Sequence, residues 1–477
     1  MDYFSTGKVA YPKLTLYAFH LKHSLSQKPK IPVENANDLW LKCQQLGKQL
    51  GVHRLKTLPK LIERAYYYNQ KNSITGQILA DDKFANQGIL ELTTFKKHQK
   101  NNLRLTGEVN PLEIHDTYAL DLTLRYPHPE VKLADLRELN PDDCLLSKNI
   151  NASLGQTLVF FAQPVGKIDD EQAFADACVK ALLSEETWRK LNIYRQHQGE
   201  LLGSSIFEYN NDADSPEAQC HLLIWLNTHD LTTELENKGE YYYPLIDLLL
   251  CRSKIIYARS EAIWCREQAR SSYSDLEKYK QEFKEQKNNP IDLKFDNFNQ
   301  WLQEIPEISF NYVDYLRDIE LHRTTIQTNS NNYRLYLDKL NKICIKSDNL
   351  ELLSNFLELA LDTFVEQINT NLAYLTPGQN LFDQMIGTIR GIVEVEQAKR
   401  DRSLERTIQV LGIAFGGGAI VSGVVTQHID KPFAQINFKY PVHPIVSSLL
   451  WSVLATVVFG LLAWLVTKPK RRRTKGK

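Results

Sequence analysis

Two stretches near the end of the chain carry no charged residue. Ile408 to Thr426 (IQVLGIAFGGGAIVSGVVT) covers 19 positions and Ile445 to Val466 (IVSSLLWSVLATVVFGLLAWLV) covers 22. At about 1.5 Å per residue, each predicts a helix that can cross a hydrocarbon layer about 30 Å thick. Ahead of them the pattern divides near residue 240. Up to that point strand-like and helical patches alternate. Leu14 to Phe19 and Gln156 to Val165 read as strands, and Tyr118 to Tyr126 (YALDLTLRY) alternates apolar and polar residues like a half-buried strand. Asn37 to Leu50 reads as a helix capped by Asn37. A second helix opens at Asp169-Asp170-Glu171 and runs to about Leu183. Leu202 to Tyr209 and Ala218 to Leu226 form a further strand group.

After residue 240 the pattern is helical. A run from Leu245 to about Gln286 follows Pro244, a first-turn proline, and Asn288-Asn289-Pro290 breaks it. Val313–Cys344 and Leu350–Leu372 predict two more helices. Thr376-Pro377-Gly378 then predicts a fresh start, with Thr376 as cap and Pro377 in the first turn. From there to Thr426 nothing forces a break. A single helix of about 75 Å would overshoot the hydrocarbon layer and leave a stalk of roughly 30 residues. Phe382, Met385, Ile389 and Ile392 give that stalk a 3-4 spaced apolar seam.

The expected fold class is therefore α+β. Residues 1–240 form an α/β domain, 241–375 a helical region and 376–406 a stalk helix. The first span is 407–427, the outer loop 428–444, the second span 445–467 and a basic tail 468–477. Charge sets the orientation. The whole chain balances 57 basic against 57 acidic residues, but from Lys399 onward there are 13 basic and 3 acidic, leaving 44 and 54 before it. Lys399, Arg400, Arg402 and Arg406 precede the first span, and seven basic residues follow the second. The loop between has only Lys431 and Lys439. Positive charge collects on the cytoplasmic side of a bilayer, so both ends are expected in the cytoplasm, with the protein in an inner or plasma membrane. The acidic soluble part speaks against nucleic acid as a partner.

Candidate chemistry is sparse. Ser5-Thr6-Gly7-Lys8 lacks the leading glycine of a phosphate loop, and no zinc spacing occurs. The doublets Asp81-Asp82, Asp142-Asp143 and Asp169-Asp170 fit turns and caps. Cys220-His221 fits a packed pair better than a nucleophile and base, and the seven cysteines fit reduced, buried thiols. No catalytic constellation emerges, so no enzyme is expected, no metal site is assigned and no cofactor is expected from the residues alone. The first span is rich in small residues: Gly412-x-x-x-Gly416 and Gly418-x-x-x-Ser422, with Gly417 and Gly423 added. Such positions let helices approach closely inside lipid, within one chain or around a multi-subunit pore.

The helix Pro377–Thr426, the span Ile445–Val466 and the tail KPKRRRTKGK, in that order, resemble the CorA-type family of magnesium and divalent-cation channels. The resemblance covers roughly residues 240–477. It implies a homopentamer and a path for a divalent cation such as magnesium along the first span, gated by the cytoplasmic domain. The family's Gly-Met-Asn motif is absent: the only methionines are Met1 and Met385. Ser422-Gly423, set against the small pair before that motif, places Thr426, Gln427 and His428 at the filter position. Ser422, Thr426, Gln427 and His428 are thus the pore-lining candidates. The alternative expectation is a membrane-anchored sensor or effector, in antiviral defence for instance, whose enlarged soluble part binds a small regulatory ligand.

Overall fold

A computed structural model describes residues 3–23, 32–69, 77–78, 90–93, 105–126, 130–285, 291–428 and 444–467. Asp81-Asp82, the break at Asn288-Asn289-Pro290, the outer loop beyond His428 and the basic tail lie outside the described residues. The fold is mixed α+β. A sheet lies in the first half, long helices follow, and two apolar helices stand near the C-terminus. The chain forms two compact units, one of Met1–Ser274 with Phe310–Gln379, the other of Asp275–Ser309 with Asn380–Lys477.

The first unit is built on one sheet. Its strands are β1 (Lys8–Leu21), β2 (Gln77–Ile78), β3 (Leu90–Thr93), β4 (Thr106–Ile114), β5 (Thr117–Arg125), β6 (Glu130–Lys132), β7 (Gly155–Pro164), β8 (Tyr194–Leu201), β9 (Ser204–Asn210) and β10 (Leu222–Leu226). They lie in the order β2-β4-β5-β1-β7-β10-β9-β8, with β3 beside β4 and β6 beside β1. All pairs are antiparallel except β7 with β10. The polar strand β8 (YRQHQGEL) carries no apolar alternation, so the sequence pattern passes over it. It exists as the partner of β9 in a two-residue hairpin. Leu202 (φ 52°) and Gly203 (φ 85°) take the left-handed backbone that such a turn requires.

The two sheet faces differ. Leu14, Leu16 and Ala18 of β1, Leu120, Leu122 and Leu124 of β5, and Leu158 and Phe160 of β7 point to one side. There they join Leu39, Cys43 and Leu46 of the helix Asp38–Leu50 and Phe174 and Cys178 of the helix Glu171–Leu182 in one apolar core. Asp170 caps the latter helix through the Ala173 N–H. Asn37 precedes the former helix, but its side chain makes no capping hydrogen bond. All seven thiols are free, and six are buried.

The helices outrun their expected bounds. Tyr242–Glu285 has 44 residues and Ile291–Ile343 has 53, the latter continuing through Pro306. Tyr312, Leu316, Ile319, Ile326, Tyr333, Leu337 and Leu340 are buried along it, a 3-4 seam that His322 and Ser330 complete. Thr376-Pro377 does not begin a new helix. The helix Glu366–His428 has 63 residues with Pro377 inside it. Thr376 does not cap; its hydroxyl donates back to the Leu372 carbonyl. A neighbouring helix supports the backbone beside the proline: the Tyr312 hydroxyl donates to the Leu375 carbonyl at 2.5 Å. A side chain at Gly378 would collide with Tyr312 and press on Tyr273.

In the second unit Phe382 and Ile389 are fully buried, as the expected seam requires. Ile392 is instead 40% exposed, and Val393 is buried in its place. A straight helix repeats every 3.6 residues, so a seam that starts on a 3.5 spacing drifts by a residue. In the same unit Phe283 stacks on Phe298, Trp301 meets Phe298 at a tilt, and the Arg400 guanidinium lies 4.4 Å from the Phe295 ring. The last helix, Pro444–Thr467, has 24 residues. The two helices that carry the uncharged stretches are long and apolar enough to cross a membrane, and only 11% of either apolar window is buried.

Candidate functional site

The second face of the sheet is polar and is also covered. Three successive rungs cross it. Arg125, Lys13, Phe161 and Trp225 are register partners along the first; Glu108, Thr123, Thr15 and Val159 along the second; Asn110, Asp121, Tyr17 and Thr157 along the third. These are the residues between the core leucines, so one alternation supplies both faces. A bulge in β1 between Ala10 and Lys13, with Tyr11 at φ 50°, puts Lys13 in phase with this row. The chain reaches the rungs again after the helix Asp230–Lys238. Gly239 (φ 70°) ends that helix, and Tyr241, Tyr242 and Tyr243 then open the helix Tyr242–Glu285 across the polar face. A cavity of about 470 Å³ remains between strands and tyrosines. That is the size range of small-molecule sites.

Its polar contacts are specific. Lys13 pairs with Glu236, and Arg125 lies 2.9 Å from Glu108. The Tyr241 hydroxyl donates to Glu236 at 3.0 Å and the Tyr242 hydroxyl to Asp121 Oδ2 at 2.5 Å. Asn110 Nδ2 donates to the Tyr242 oxygen at 3.3 Å. Asp121 and Asn110 are each 7% exposed, and Asp121 Oδ1 and Asn110 Oδ1 have no hydrogen-bond donor. Burial is the main reason that the Asp121 carboxyl is pushed up to about 7. The Tyr242 O–H favours the ionised form, Glu108 opposes it, and Lys13 and the Thr123 hydroxyl support it. Burial also raises the Tyr17, Tyr241 and Tyr242 hydroxyls, so all three stay protonated donors. Phe161 and Trp225 meet edge to face at 4.8 Å, Trp225 and Tyr241 at 5.4 Å. The site is therefore an aromatic wall facing a carboxyl group that titrates near neutrality.

No family model matches the chain. No curated protein matches it either.

A second cavity, of about 650 Å³, lies elsewhere in the same unit, beside Glu208, Arg252, Arg259 and the seven-residue π-helix Leu359–Val365. Its cations already face carboxylates: Arg252 is 3.8 Å from Glu208, and Arg259 is 2.8 Å from Asp214. His221 Nε2 lies 3.0 Å from Glu208, and the Thr157 hydroxyl lies 2.8 Å from His221 Nδ1. Burial, reinforced by Arg252, pushes His221 down to about 4, so the ring is neutral. Burial alone would raise Glu208, but the His221 N–H and Arg252 hold it below its ordinary value. Cys220 has joined the apolar core, its thiol pushed up to about 12 by burial. The pair Cys220-His221 is thus split between two environments and forms no dyad.

Other candidates are used structurally. Asp143 accepts from Arg137 at 2.8 Å and from the Ser184 hydroxyl at 2.8 Å, which fixes a turn. Lys8 begins β1 and pairs with Glu130. Ser422, Thr426, Gln427 and His428 occupy the last two turns of the helix Glu366–His428; their side chains lie outside the described residues. The small-residue positions separate. A Cβ at Gly417 would strike Phe459, and one at Gly418 would strike Thr456; Gly460 faces Ala414. These positions seat the two apolar helices on each other. At Gly412 and Gly416 an added Cβ meets nothing within 4 Å. Gly423 lies further along the same helix. Among the described residues, no group of three or more His, Cys, Asp or Glu is placed to hold a metal ion.

Proposed function

We propose that this chain is a two-span membrane protein whose α+β unit binds a small ligand and transmits its occupancy to the spans. The carrying observation is the covered polar cavity, with two buried acceptors that lack donors. A buried unpaired acceptor costs about 1–3 kcal/mol, which a bound donor would recover. The roof suits a transmitter. Tyr242 and Tyr243 belong to a helix that continues unbroken to Glu285, and its residues beyond Ser274 belong to the second unit.

Membrane insertion of both apolar helices is part of this reading. Among the described residues most of their large apolar side chains are exposed, Ile408, Phe415, Leu449 and Trp464 among them, which would be unfavourable in water over so large a surface. The flanking charge favours cytoplasmic ends and an inner or plasma membrane location. One experiment tests the coupling. Single cysteines at Gly412 and at Gly416, in a background lacking the native cysteines, are cross-linked between copies in native membranes. Asp121→Asn or Trp225→Ala should change the cross-linking yield. Yields identical to those of the unsubstituted cavity would refute the coupling.

A pore is the second reading, favoured by the open faces at Gly412 and Gly416. Close packing of copies around an axis would cover them. Ser422, Thr426, Gln427 and His428 would then line the outer mouth, as the CorA resemblance implies, and the cavity ligand would be the gating signal. Cation flux into liposomes tests it; no flux of magnesium, cobalt, nickel or potassium in any cavity variant would leave the effector reading.

A further inference from the structure

The charge count of the cavity identifies the kind of ligand it takes. Two cations, Lys13 and Arg125, face three carboxylates, Glu108, Asp121 and Glu236. Lys13 makes its direct ion pair with Glu236 and Arg125 with Glu108, so Asp121 is the carboxyl of the three without an ion pair of its own, and Lys13 reaches it only at longer range. Its unpartnered Oδ1 and that of Asn110 sit on register-paired residues of neighbouring strands. Both point a lone pair where a hydrogen-bond donor is missing. The wall beside them already suits positive charge: Lys13 Nζ lies 4.6 Å from the Phe161 ring centre. Aromatic faces attract cations more strongly as water is excluded.

We propose that the cavity binds an organic ammonium ion, its nitrogen held by Asp121 and Asn110 and its carbon body lying against Phe161, Trp225 and Tyr241. The assignment rests on the ligand-binding reading above and narrows it to one chemical class. An ammonium group supplies three donors and one positive charge, which matches two orphaned acceptors and one unmatched carboxylate. An anion would meet Glu108, Asp121 and Glu236 while both cations are held in ion pairs, and a neutral alcohol would supply one donor and leave the charge of Asp121 unmatched.

The charged surroundings set the pH response. Lys13 and Tyr17 face Asp121 from β1, Glu108 from β4, and Glu236 from the helix Asp230–Lys238. Tyr241 and Tyr242 face it from the roof. Burial pushes the Asp121 carboxyl up to about 7. An ammonium ion selects its ionised form, so binding releases a proton and strengthens as pH rises.

The test uses the full chain in mild detergent with phenethylammonium, 2-phenylethanol and phenylacetate, followed by tryptophan fluorescence and calorimetry. Phenethylammonium should bind, with affinity rising about tenfold between about pH 6 and about pH 8 and with proton release. Asp121→Asn should weaken it at least about tenfold at the upper pH, and Trp225→Phe should largely retain it. A short lysine peptide in the same assay separates a protein side chain from a free amine as the source. Binding of the alcohol or the acid as tight as that of the amine overturns the assignment. So does an affinity that Asp121→Asn leaves unchanged, or absence of amine binding up to millimolar concentration. Binding of the alcohol or acid that Trp225→Ala abolishes would overturn the ammonium class while leaving the cavity a ligand site.

Discussion

Replacing Asp121 by asparagine should stabilise the protein in alkali and leave it nearly unchanged in acid. The carboxyl group is raised from its ordinary 3.8 to about 7 by burial. A group whose folded value lies above its unfolded value favours folding while protonated. That stability is complete below about pH 4 and is lost as pH rises through about 7. Each unit of displacement corresponds to about 1.4 kcal/mol, so the full displacement is worth about 4 kcal/mol as an upper figure. Most of the practical window lies between about pH 6 and about pH 8, where the wild type should lose roughly 1.4 kcal/mol that the variant does not. Asparagine has the shape of the protonated acid, and its carbonyl can still accept from the Tyr242 hydroxyl. The assay is thermal unfolding of the detergent-solubilised chain, wild type and variant side by side. Their difference cancels every other titrating group. The gap in midpoint should widen by on the order of 2 °C across that window. Parallel midpoints from acid to alkali would mean that Asp121 ionises freely, and the closed cavity would lose its main support.

Leu122→Ala removes a fully buried side chain from the core face of β5 and should cost about 2–5 kcal/mol, read as a lower unfolding midpoint. Gly416→Leu should weaken cross-linking between copies yet leave the monomer folded, whereas Gly418→Leu should disturb the pairing of the two apolar helices themselves, because its side chain would enter the space of Thr456. Cysteines at Gln435 and Thr474 report topology. An impermeant thiol reagent on intact cells should label the first and spare the second, and the reverse would invert the proposed orientation. If the chain conducts, acidifying the outer side should lower cation flux in the wild type but not in His428→Ala.

Much of the architecture was legible because it is written in periodicity. The strands at Leu14–Phe19, Tyr118–Tyr126 and Gln156–Val165 and the helix after Asp170 follow local alternation and capping, and their neighbours reinforce those preferences. What escaped depends on contacts distant in sequence. β8 has no apolar face of its own and is a strand only through β9. Pro377 carries the local signature of a helix start, yet Tyr312, 65 positions earlier in the chain, supports a continuous helix around it. The seam on the stalk slipped from Ile392 to Val393 because a straight helix repeats every 3.6 residues and not on the heptad's 3.5.

The site was half visible for a related reason. YALDLTLRY displays its polar residues openly, and a strand with one polar face is ordinarily wet on that side. Asp121, Thr123 and Arg125 therefore read as solvent-facing. The missing fact is the return of Tyr241 and Tyr242, 120 residues later, to close that face. Closure changes the chemistry of every residue beneath it. The same carboxylate that would stay ionised on a wet strand is driven towards neutrality, and the same tyrosines become committed donors. A polar alternation on two neighbouring strands, Lys13-Thr15-Tyr17 beside Asp121-Thr123-Arg125, followed by the aromatic triplet Tyr241-Tyr242-Tyr243 ahead of a long helix, is the sequence trace of such a closed face. Neither half has a functional meaning alone, because the property that matters, a carboxylate without its cation, belongs to the assembled cavity.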